Sequence, residues 1–148
     1  MKMRHSLTLG MLFAFSAGFG ARGLIGPTTV RASAPAADRV FELRTYTAPP
    51  GKLEALKARF RNNTIRIFKR HNMEAIGYWQ PMDSPLSENT LIYILVHPSR
   101  EAATKNWMEF QADPEWLQVR ADSIKDGAIT TKTPDSIFLN PVDFSPIK

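Results

Sequence analysis

The chain of 148 residues contains no cysteine. It can therefore form no disulfide, no thiolate zinc site and no cysteine nucleophile. It also lacks a glycine-rich phosphate loop, a G-x-S-x-G turn and an H-E-x-x-H motif. Only two histidines, His71 and His97, follow the amino-terminal region, and no second carboxylate motif accompanies them. The sequence thus predicts no metal centre and no cofactor, and it identifies no catalytic residue.

The main body of the chain has almost no net charge. The formal net charge is +5, but Lys2, Arg4, Arg22 and Arg31 supply four positive charges before the first acidic residue, Asp38. The remainder holds 15 lysines and arginines against 14 aspartates and glutamates. Nucleic-acid binding requires a concentration of positive charge to contact the phosphates. The composition therefore predicts no nucleic-acid partner.

The amino terminus has the pattern of a secretory leader. Lys2 and Arg4 precede an uncharged, mostly apolar run from Ser6 to Ala21. A basic start followed by such a run is typical of a signal peptide. The run is shorter than the roughly 20 apolar residues that span a bilayer. We therefore expect a periplasmic or secreted protein without stable membrane insertion after leader removal, and a mitochondrial presequence is the alternative.

The boundary between leader and domain is less sharply marked. Small residues offer cleavage after Ala34 or Ala36, both far beyond the apolar run, so the pattern does not decide the site. The stretch before Asp38 is rich in glycine, proline, serine and alanine, which is typical of a connector. The sequence predicts a signal peptide and linker over residues 1–36 and one domain over residues 37–148.

The segment from Val40 to Thr47 is the first predicted strand. Side chains of a strand alternate between its two faces, so Glu42, Arg44 and Tyr46 share one face and Phe41 lies on the other. Three polar side chains pointing the same way are an arrangement typical of a site.

A helix is predicted to follow, ending near Asn72, a residue suited to a left-handed helix end. Its buried stripe is predicted to consist of Leu53, Leu56, Phe60, Thr64 and Ile67. Its other faces carry Lys52, Lys57, Arg59, Arg61, Arg66, Lys69 and Arg70.

The rest of the domain completes a regular alternation of strands and helices. Strands are predicted over Glu74–Met82 and Thr90–His97, and the surest part of the last strand is Ser136–Leu139. Ser99 caps one helix, and the Asp113-Pro114 pair starts another. The fold class is thus α+β, in the ferredoxin-like order β-α-β-β-α-β. It has a four-stranded antiparallel sheet with two helices on one face.

Such a fold leaves the second face of the sheet without a covering layer. The strand Thr90–His97 is apolar on both sides, and large apolar surfaces are rarely left in water. A second copy packed sheet to sheet would cover it. The sequence therefore predicts a homodimer.

Five short segments, taken in order, carry a family resemblance. They are VFELRTY from Val40, Pro50-Gly51, Gly77-Tyr78-Trp79, Asp113-Pro114-Glu115-Trp116 and Phe144-Ser145-Pro146. With this order and spacing, the chain resembles the NIPSNAP family from about Val40 to Ile147. The resemblance implies a ferredoxin-like chain that dimerises into an α+β barrel. Animal members are similar to mitochondrial proteins of signalling and organelle turnover, bacterial relatives are mostly uncharacterised, and no catalytic residues can be transferred.

The main candidate site consists of Glu42, Arg44 and Tyr46. We expect these residues on the face away from Phe41, between the two subunits, with Arg44 as the charged donor to an anionic or polar group. The alternative is an internal ion pair between Glu42 and Arg44 that stabilises the dimer.

Trp79, Tyr93 and His97 are further candidate ligand-binding residues. His97 shares a face with Tyr93, and it is interpreted as an acid or base or a haem ligand inside a barrel, or else as a strand-end histidine bonded to backbone. His71 is predicted at a helix carboxyl end, where a cation is favourable. Trp107 and Trp116 are expected mainly in packing.

Three functions are compatible with these residues. The first is an exported dimer that binds a small, partly apolar molecule, for which we expect an open cavity lined by Arg44, Tyr46 and Trp79. The second is a cofactor-independent monooxygenase or isomerase that uses His97, Tyr46 or Arg44, and a His97 pointing into that cavity would favour it. The third is a non-catalytic interaction module with a filled space between the sheets.

Overall fold

The computed structural model describes residues 39–148, which form a single α+β unit. The strands are β1 (Val40–Thr47), β2 (Glu74–Trp79), β3 (Thr90–His97) and β4 (Asp135–Leu139). The helices are α1 (Leu53–Arg59), α2 (Ile65–Arg70), α3 (Arg100–Ala112) and α4 (Pro114–Ser123). A π-helical turn (Phe60–Thr64) joins α1 to α2, and a 3₁₀ turn (Leu86–Glu88) precedes β3. The predicted order is confirmed, with each helical segment divided in two.

The predicted leader and linker, residues 1–36, lie outside the described residues. Leader removal stays a prediction, which sequencing of the mature amino terminus would check. Among residues 39–148, no helix is both long and apolar enough to cross a bilayer.

The four strands form one antiparallel sheet in the order β2-β3-β1-β4. The two central strands pair in a register that places Arg44 opposite Tyr93 and Glu42 opposite Leu95. Since directly opposed residues share a face of the sheet, the polar residues of β1 lie beside the odd-numbered residues of β3.

Helix ends follow the capping residues. The Ser99 hydroxyl accepts a hydrogen bond from the Ala102 amide at 3.1 Å and starts α3. Asp113 ends α3 and caps α4, with Pro114 in its first turn. Asn72 has a φ of 55° directly after the carboxyl end of α2. These three predicted boundaries are confirmed because each depends on local side-chain and backbone chemistry.

The helices cover the face of the sheet that carries Glu42, Arg44 and Tyr46. Tyr46 belongs to the hydrophobic core, which also contains residues of the helices and of the neighbouring strands. The indole nitrogen of Trp107 on α3 donates a hydrogen bond to Glu42 at 2.7 Å. The prediction that these three side chains lie on the face away from the helices is therefore wrong. Alternation along β1 separates two faces, but both faces of β3 are apolar, so the pattern did not reveal which one the helices cover.

The opposite face is covered only in part by the chain itself. The tail after β4 turns back toward Phe41, Ile76 and Ile94, leaving a groove of about 330 Å³ between tail and sheet. Several large apolar side chains of this face and of the tail remain exposed. They are Ile76, Trp79, Ile137, Leu139, Val142, Phe144 and Ile147.

Candidate functional site

A cavity of about 450 Å³ lies between the sheet and the helix layer. Its walls come from β1, the end of α1, both α3 and α4, and the loop that precedes β4. It is lined by Arg44, Tyr46, Arg59, Trp107, Phe110, Gln111, Trp116, Arg120, Thr130, Lys132, Thr133 and Pro134. Among these described residues, four side chains are cationic and none is acidic. The cavity therefore combines aromatic walls with an excess of positive charge.

Arg44 enters this cavity with its charge already matched. Its Nη1 donates to the Oε1 of Glu42 at 3.0 Å, and the guanidinium carbon lies 4.6 Å from the centre of the Trp107 ring. Burial by itself lowers the pKa of Arg44, but Tyr93, Tyr46 and Glu42 outweigh it, and the pKa is raised above its ordinary value. The ion pair with Glu42 thus fixes the position of the Arg44 guanidinium.

Glu42 is fully buried and accepts four hydrogen bonds. Besides Arg44 and Trp107, the Ser136 hydroxyl donates to Oε1 at 2.6 Å and the His97 Nε2 lies 3.1 Å from Oε2. Burial raises the pKa of Glu42, yet the bonds from His97, Ser136 and Trp107, with the charge of Arg44, lower it from 4.5 to about 2. A carboxylate with this many donors stays ionised. Glu42 therefore positions Arg44 and Trp107 from behind the cavity wall.

His97 is fully buried and is not among the residues that line the cavity. Its Nδ1 has no hydrogen-bond partner in residues 39–148. His97 therefore gives the enzyme hypothesis no support at this cavity, whereas Arg44 and Tyr46, the other two residues of that hypothesis, line it.

Arg59 differs from Arg44 because no acidic group matches it. The residue is 9% exposed, and its Nη1 donates to the Ser123 hydroxyl at 3.3 Å. No carboxylate in residues 39–148 lies within ion-pair distance, and its buried Nε has no hydrogen-bond partner there. Burial lowers its pKa, the charge of Arg120 lowers it further, and the opposing effect of Tyr46 and Tyr93 does not compensate. The cavity thus contains a desolvated cation without a counterion.

The π-helical turn starts directly after Arg59. The Thr64 hydroxyl donates to the Arg59 carbonyl at 3.3 Å, which satisfies an acceptor within the widened turn. Such insertions interrupt the regular helical pattern and are frequent at functional sites. The guanidinium carbon of Arg59 lies 5.2 Å from the centre of the Trp116 ring on α4. The turn and the stacked indole together place Arg59 at the cavity.

Tyr46 and Tyr93 form the polar floor beside the two arginines. Their hydroxyl oxygens lie 3.3 Å apart, and both rings pack against Phe60. Tyr93 is fully buried, and desolvation raises its pKa well above the ordinary range. Tyr93 therefore stays a neutral phenol and supports Tyr46, which lines the cavity.

A family model named NIPSNAP matches residues 41–146. The chain belongs to the NIPSNAP family. The resemblance found in the order of five short segments is confirmed. No functionally curated protein matches the chain.

Two solved structures of NIPSNAP relatives are similar to this chain. A NIPSNAP family protein of unknown function from Agrobacterium tumefaciens is 25% identical, covering 76% of this chain and 96% of that one, with a TM-score of 0.65. An uncharacterized NIPSNAP-like domain protein from Burkholderia xenovorans is 22% identical, covering 74% and 90%, with a TM-score of 0.64. The match to a "putative antibiotic biosynthesis monooxygenase" from Nitrosomonas europaea has 13% identity, coverage of 76% and 99% and a TM-score of 0.52, and it shows the fold alone.

The six predicted ligand-binding residues of this NIPSNAP chain separate into three groups. Arg44 and Tyr46 line the cavity. Glu42, Tyr93 and His97 lie behind it and hold those two or each other through hydrogen bonds. Trp79 is on the opposite face of the sheet, where its ring lies against Gly77.

Ten of the twelve lining residues were not among the predicted ligand-binding residues, including the cations Arg59, Arg120 and Lys132. The only sequence signal for Arg59 is its place three residues after Leu56 and next to Phe60, at the edge of the apolar stripe. Among residues 39–148, no cluster of three or more histidine or carboxylate side chains is arranged to hold a metal ion.

Proposed function

We propose that this NIPSNAP-family protein binds a small organic anion in the cavity between its sheet and its helices. The observation that carries the proposal is Arg59, a buried guanidinium with no carboxylate partner in the described residues. Removing a charge from water is costly unless an opposite charge or hydrogen bonds replace the solvent. A ligand that brings one negative charge would supply what the fold does not.

The second buried arginine strengthens the proposal by contrast. Glu42 lies 3.0 Å from Arg44 and neutralises its charge. Arg44 therefore needs no counterion from a ligand. In residues 39–148, the buried Arg59 lacks this arrangement. The unmatched charge therefore supports a ligand-binding role for Arg59 rather than a purely structural one.

The entrance of the cavity also favours anions. The exposed Arg120 stands among its lining residues, and positive charge at the mouth of a cleft raises the local concentration of anions. Lys132 also lines the cavity, but its pairing with Asp135 offsets its charge. The volume of about 450 Å³ lies within the usual range of small-molecule sites, about 300–1,000 Å³. A small, partly apolar molecule is thus the class of ligand that we propose.

We further propose a homodimer formed through the sheet face that the helices leave free. The support is the group of exposed apolar side chains on that face and on the carboxyl-terminal tail. In this arrangement each subunit keeps its own anion cavity on the far side of its sheet. Export of the dimer is proposed from the leader pattern alone.

The anion site is tested by Arg59→Met, with Arg61→Met as the matched control. Arg61 lies two residues away and outside the cavity. Titration calorimetry with sodium acetate, benzoate and phosphate should show saturable binding of at least one anion. Losing a charged hydrogen-bond donor costs roughly 1.5–3 kcal/mol, so the affinity of Arg59→Met should fall about 10- to 100-fold, and that of Arg61→Met should not change.

Chemical denaturation provides the second measurement on the same variants. Because Arg59→Met removes an uncompensated buried charge, we expect the free energy of unfolding without ligand to stay equal or to rise by about 1 kcal/mol. Undiminished anion binding by a folded Arg59→Met protein would refute the proposed site, as would the absence of binding to any of the three anions.

A further inference from the structure

We infer that the anion is an aromatic monocarboxylate, with its carboxylate on Arg59 and its ring against the wall formed by Trp107, Phe110 and Trp116. This inference rests on the proposed anion site and specifies its ligand. Three features support it: the single buried cation without an acidic partner, the unused hydrogen-bond donors of Arg59, and the row of aromatic rings beside it.

Among the described residues, the buried part of the cavity contains one cation without an acidic partner, Arg59. Glu42 already neutralises Arg44, whereas the buried Arg59 has no counterion in the described residues. Arg120 also lines the cavity, but it is exposed, so water screens its charge. Lys132 is exposed and is paired with Asp135 at 2.8 Å, so water and its partner weaken its attraction for a second ligand charge. A monoanion balances the buried charge, whereas a dianion would leave one negative charge with only screened partners.

Arg59 has hydrogen-bond donors that no described residue uses. Its Nη1 is directed to the Ser123 hydroxyl, and its Nε, which other atoms of the protein cover, has no hydrogen-bond partner in the described residues. A guanidinium offers parallel N–H donors along one edge, which is the geometry that binds a carboxylate at two points. The contact with the Trp116 ring and the bond to Ser123 also restrain the Arg59 side chain before a ligand arrives.

The wall beside this donor is a continuous row of aromatic rings. The centres of Trp107 and Phe110 are 5.6 Å apart, and those of Phe110 and Trp116 are 4.4 Å apart. The row joins α3 to α4 and ends at an arginine on each side, because Arg44 lies over Trp107 and Arg59 over Trp116. Flat aromatic bodies gain edge and stacking contacts on such a wall that saturated rings of equal charge do not.

The experiment compares carboxylates and ring compounds that differ in one property each. The probes are benzoate, 2-naphthoate, cyclohexanecarboxylate, acetate, benzamide and phenyl phosphate, titrated into the full protein by calorimetry. We expect benzoate or 2-naphthoate to bind at least 10-fold more tightly than cyclohexanecarboxylate and acetate. We expect benzamide, which has the ring but no charge, to show no saturable binding.

The three tryptophans of the chain provide a site-specific readout by nuclear magnetic resonance. The indole N–H signals of Trp107 and Trp116 should shift on adding benzoate, whereas that of Trp79, on the other face of the sheet, should stay in place as the internal control. In Trp116→Leu the preference for benzoate over cyclohexanecarboxylate should shrink to about threefold or less, and in Trp79→Leu it should be retained.

The possible results separate this inference from the proposed function. Equal, Arg59-dependent binding of benzoate, cyclohexanecarboxylate and acetate would leave the anion site intact and overturn its aromatic specificity. Tighter binding of phenyl phosphate than of benzoate would overturn the monocarboxylate. If none of the anions binds, both proposals fall together.

Discussion

Two arginines face one cavity, and the difference in their partners gives each a separate role. Arg44 is anchored by Glu42 and by the Trp107 ring, whereas Arg59 contacts a hydroxyl and an indole ring but no acidic group of residues 39–148. The first guanidinium is part of the fold's own ion network. The second is held in position by packing, but no acidic group of the described residues neutralises it. This is the state expected of a group that binds an anionic ligand, as we propose.

Glu42 is the residue on which the ordering of the cavity wall depends. In Glu42→Gln an acceptor is replaced by a side chain whose amide donors face the donors of Arg44, Trp107 and Ser136. Because the buried Arg44 then loses its counterion, we expect the free energy of unfolding at pH 7 to fall by about 3 kcal/mol, as measured by urea denaturation. Glu54→Gln, an exposed counterpart on α1, should change it by less than about 0.5 kcal/mol.

Wild type and Glu42→Gln also test how the free energy of unfolding depends on pH. The pKa of Glu42 is about 2 in the folded protein against 4.5 ordinarily. A lowered folded-state pKa means that the stabilisation is complete above pH 4.5 and is lost as the pH falls toward 2. The difference in stability between wild type and Glu42→Gln should therefore shrink over that interval. A difference that is constant from pH 7 to pH 2.5 would show that Glu42 is not the titrating group.

At the scale of elements, two interruptions of the helices build the site. The π-helical turn after α1 directs Arg59 to the cavity, and the junction at Asp113 turns the chain from α3 into α4, which carries Trp116. A single straight helix in either place would present a different set of side chains to the sheet. The breaks in the helices are thus the features that bring the second arginine and the second indole together.

Asp113 fixes the second interruption and links it to the first helical segment. Its Oδ1 accepts from the amides of Glu115 and Trp116, and its Oδ2 accepts from Arg70 at 2.6 Å and lies 2.7 Å from His71 Nε2. The bonds from His71 and Arg70, with the charge of Arg70, lower the pKa of Asp113 and outweigh its burial, which by itself raises that pKa. The predicted role of His71 at a helix end is thus extended to a contact with the cap of another helix.

Loss of this cap should loosen α4 and with it the aromatic wall. We expect Asp113→Ala to lower the free energy of unfolding by about 2 kcal/mol, the upper part of the range for a helix cap. Asp113→Asn keeps the cap and should cost less than half as much. Thermal unfolding is the measurement, and Asp83→Ala, in an exposed turn, is the control. Equal losses for Asp113→Ala and Asp113→Asn would show that the ion contacts, not the cap, carry the effect.

At the scale of the whole molecule, the sheet has one face in the core and one face that its own chain covers incompletely. Large apolar side chains at the free face and on the tail are 39% to 85% exposed. Apolar surface of this extent on a small protein is typical of an association surface. The proposed pairing of two copies would bury it and would give the α+β barrel that the family resemblance implies.

The pairing is tested with Ile137→Lys, which places a charge on the free face of β4. Ile137 is 56% exposed within one subunit, so the substitution should leave its core intact. Sedimentation velocity at micromolar concentration should show a dimer for the wild type and a monomer for Ile137→Lys. Leu117→Lys, on the exposed side of α4, is the matched control and should remain dimeric. A folded wild type that sediments as a monomer would contradict the proposal.

The fold was predictable to the extent that it depends on local patterns. Strand alternation, the caps at Ser99 and Asp113 and the left-handed Asn72 each follow from a few neighbouring residues. The interruption at Phe60–Thr64 was not predicted, since the stripe through Leu56, Phe60 and Thr64 also fits an uninterrupted helix.

The candidate site was predicted only in part, for a different physical reason. The sequence by itself determined that Glu42, Arg44 and Tyr46 share a face and that the chain has the NIPSNAP order of elements. Only the tertiary structure decided that the helices cover that face and that Arg59, placed among the polar residues of its helix by periodicity, is buried. Periodicity is a property of one segment, whereas the burial of a long cationic side chain depends on which distant segments pack around it.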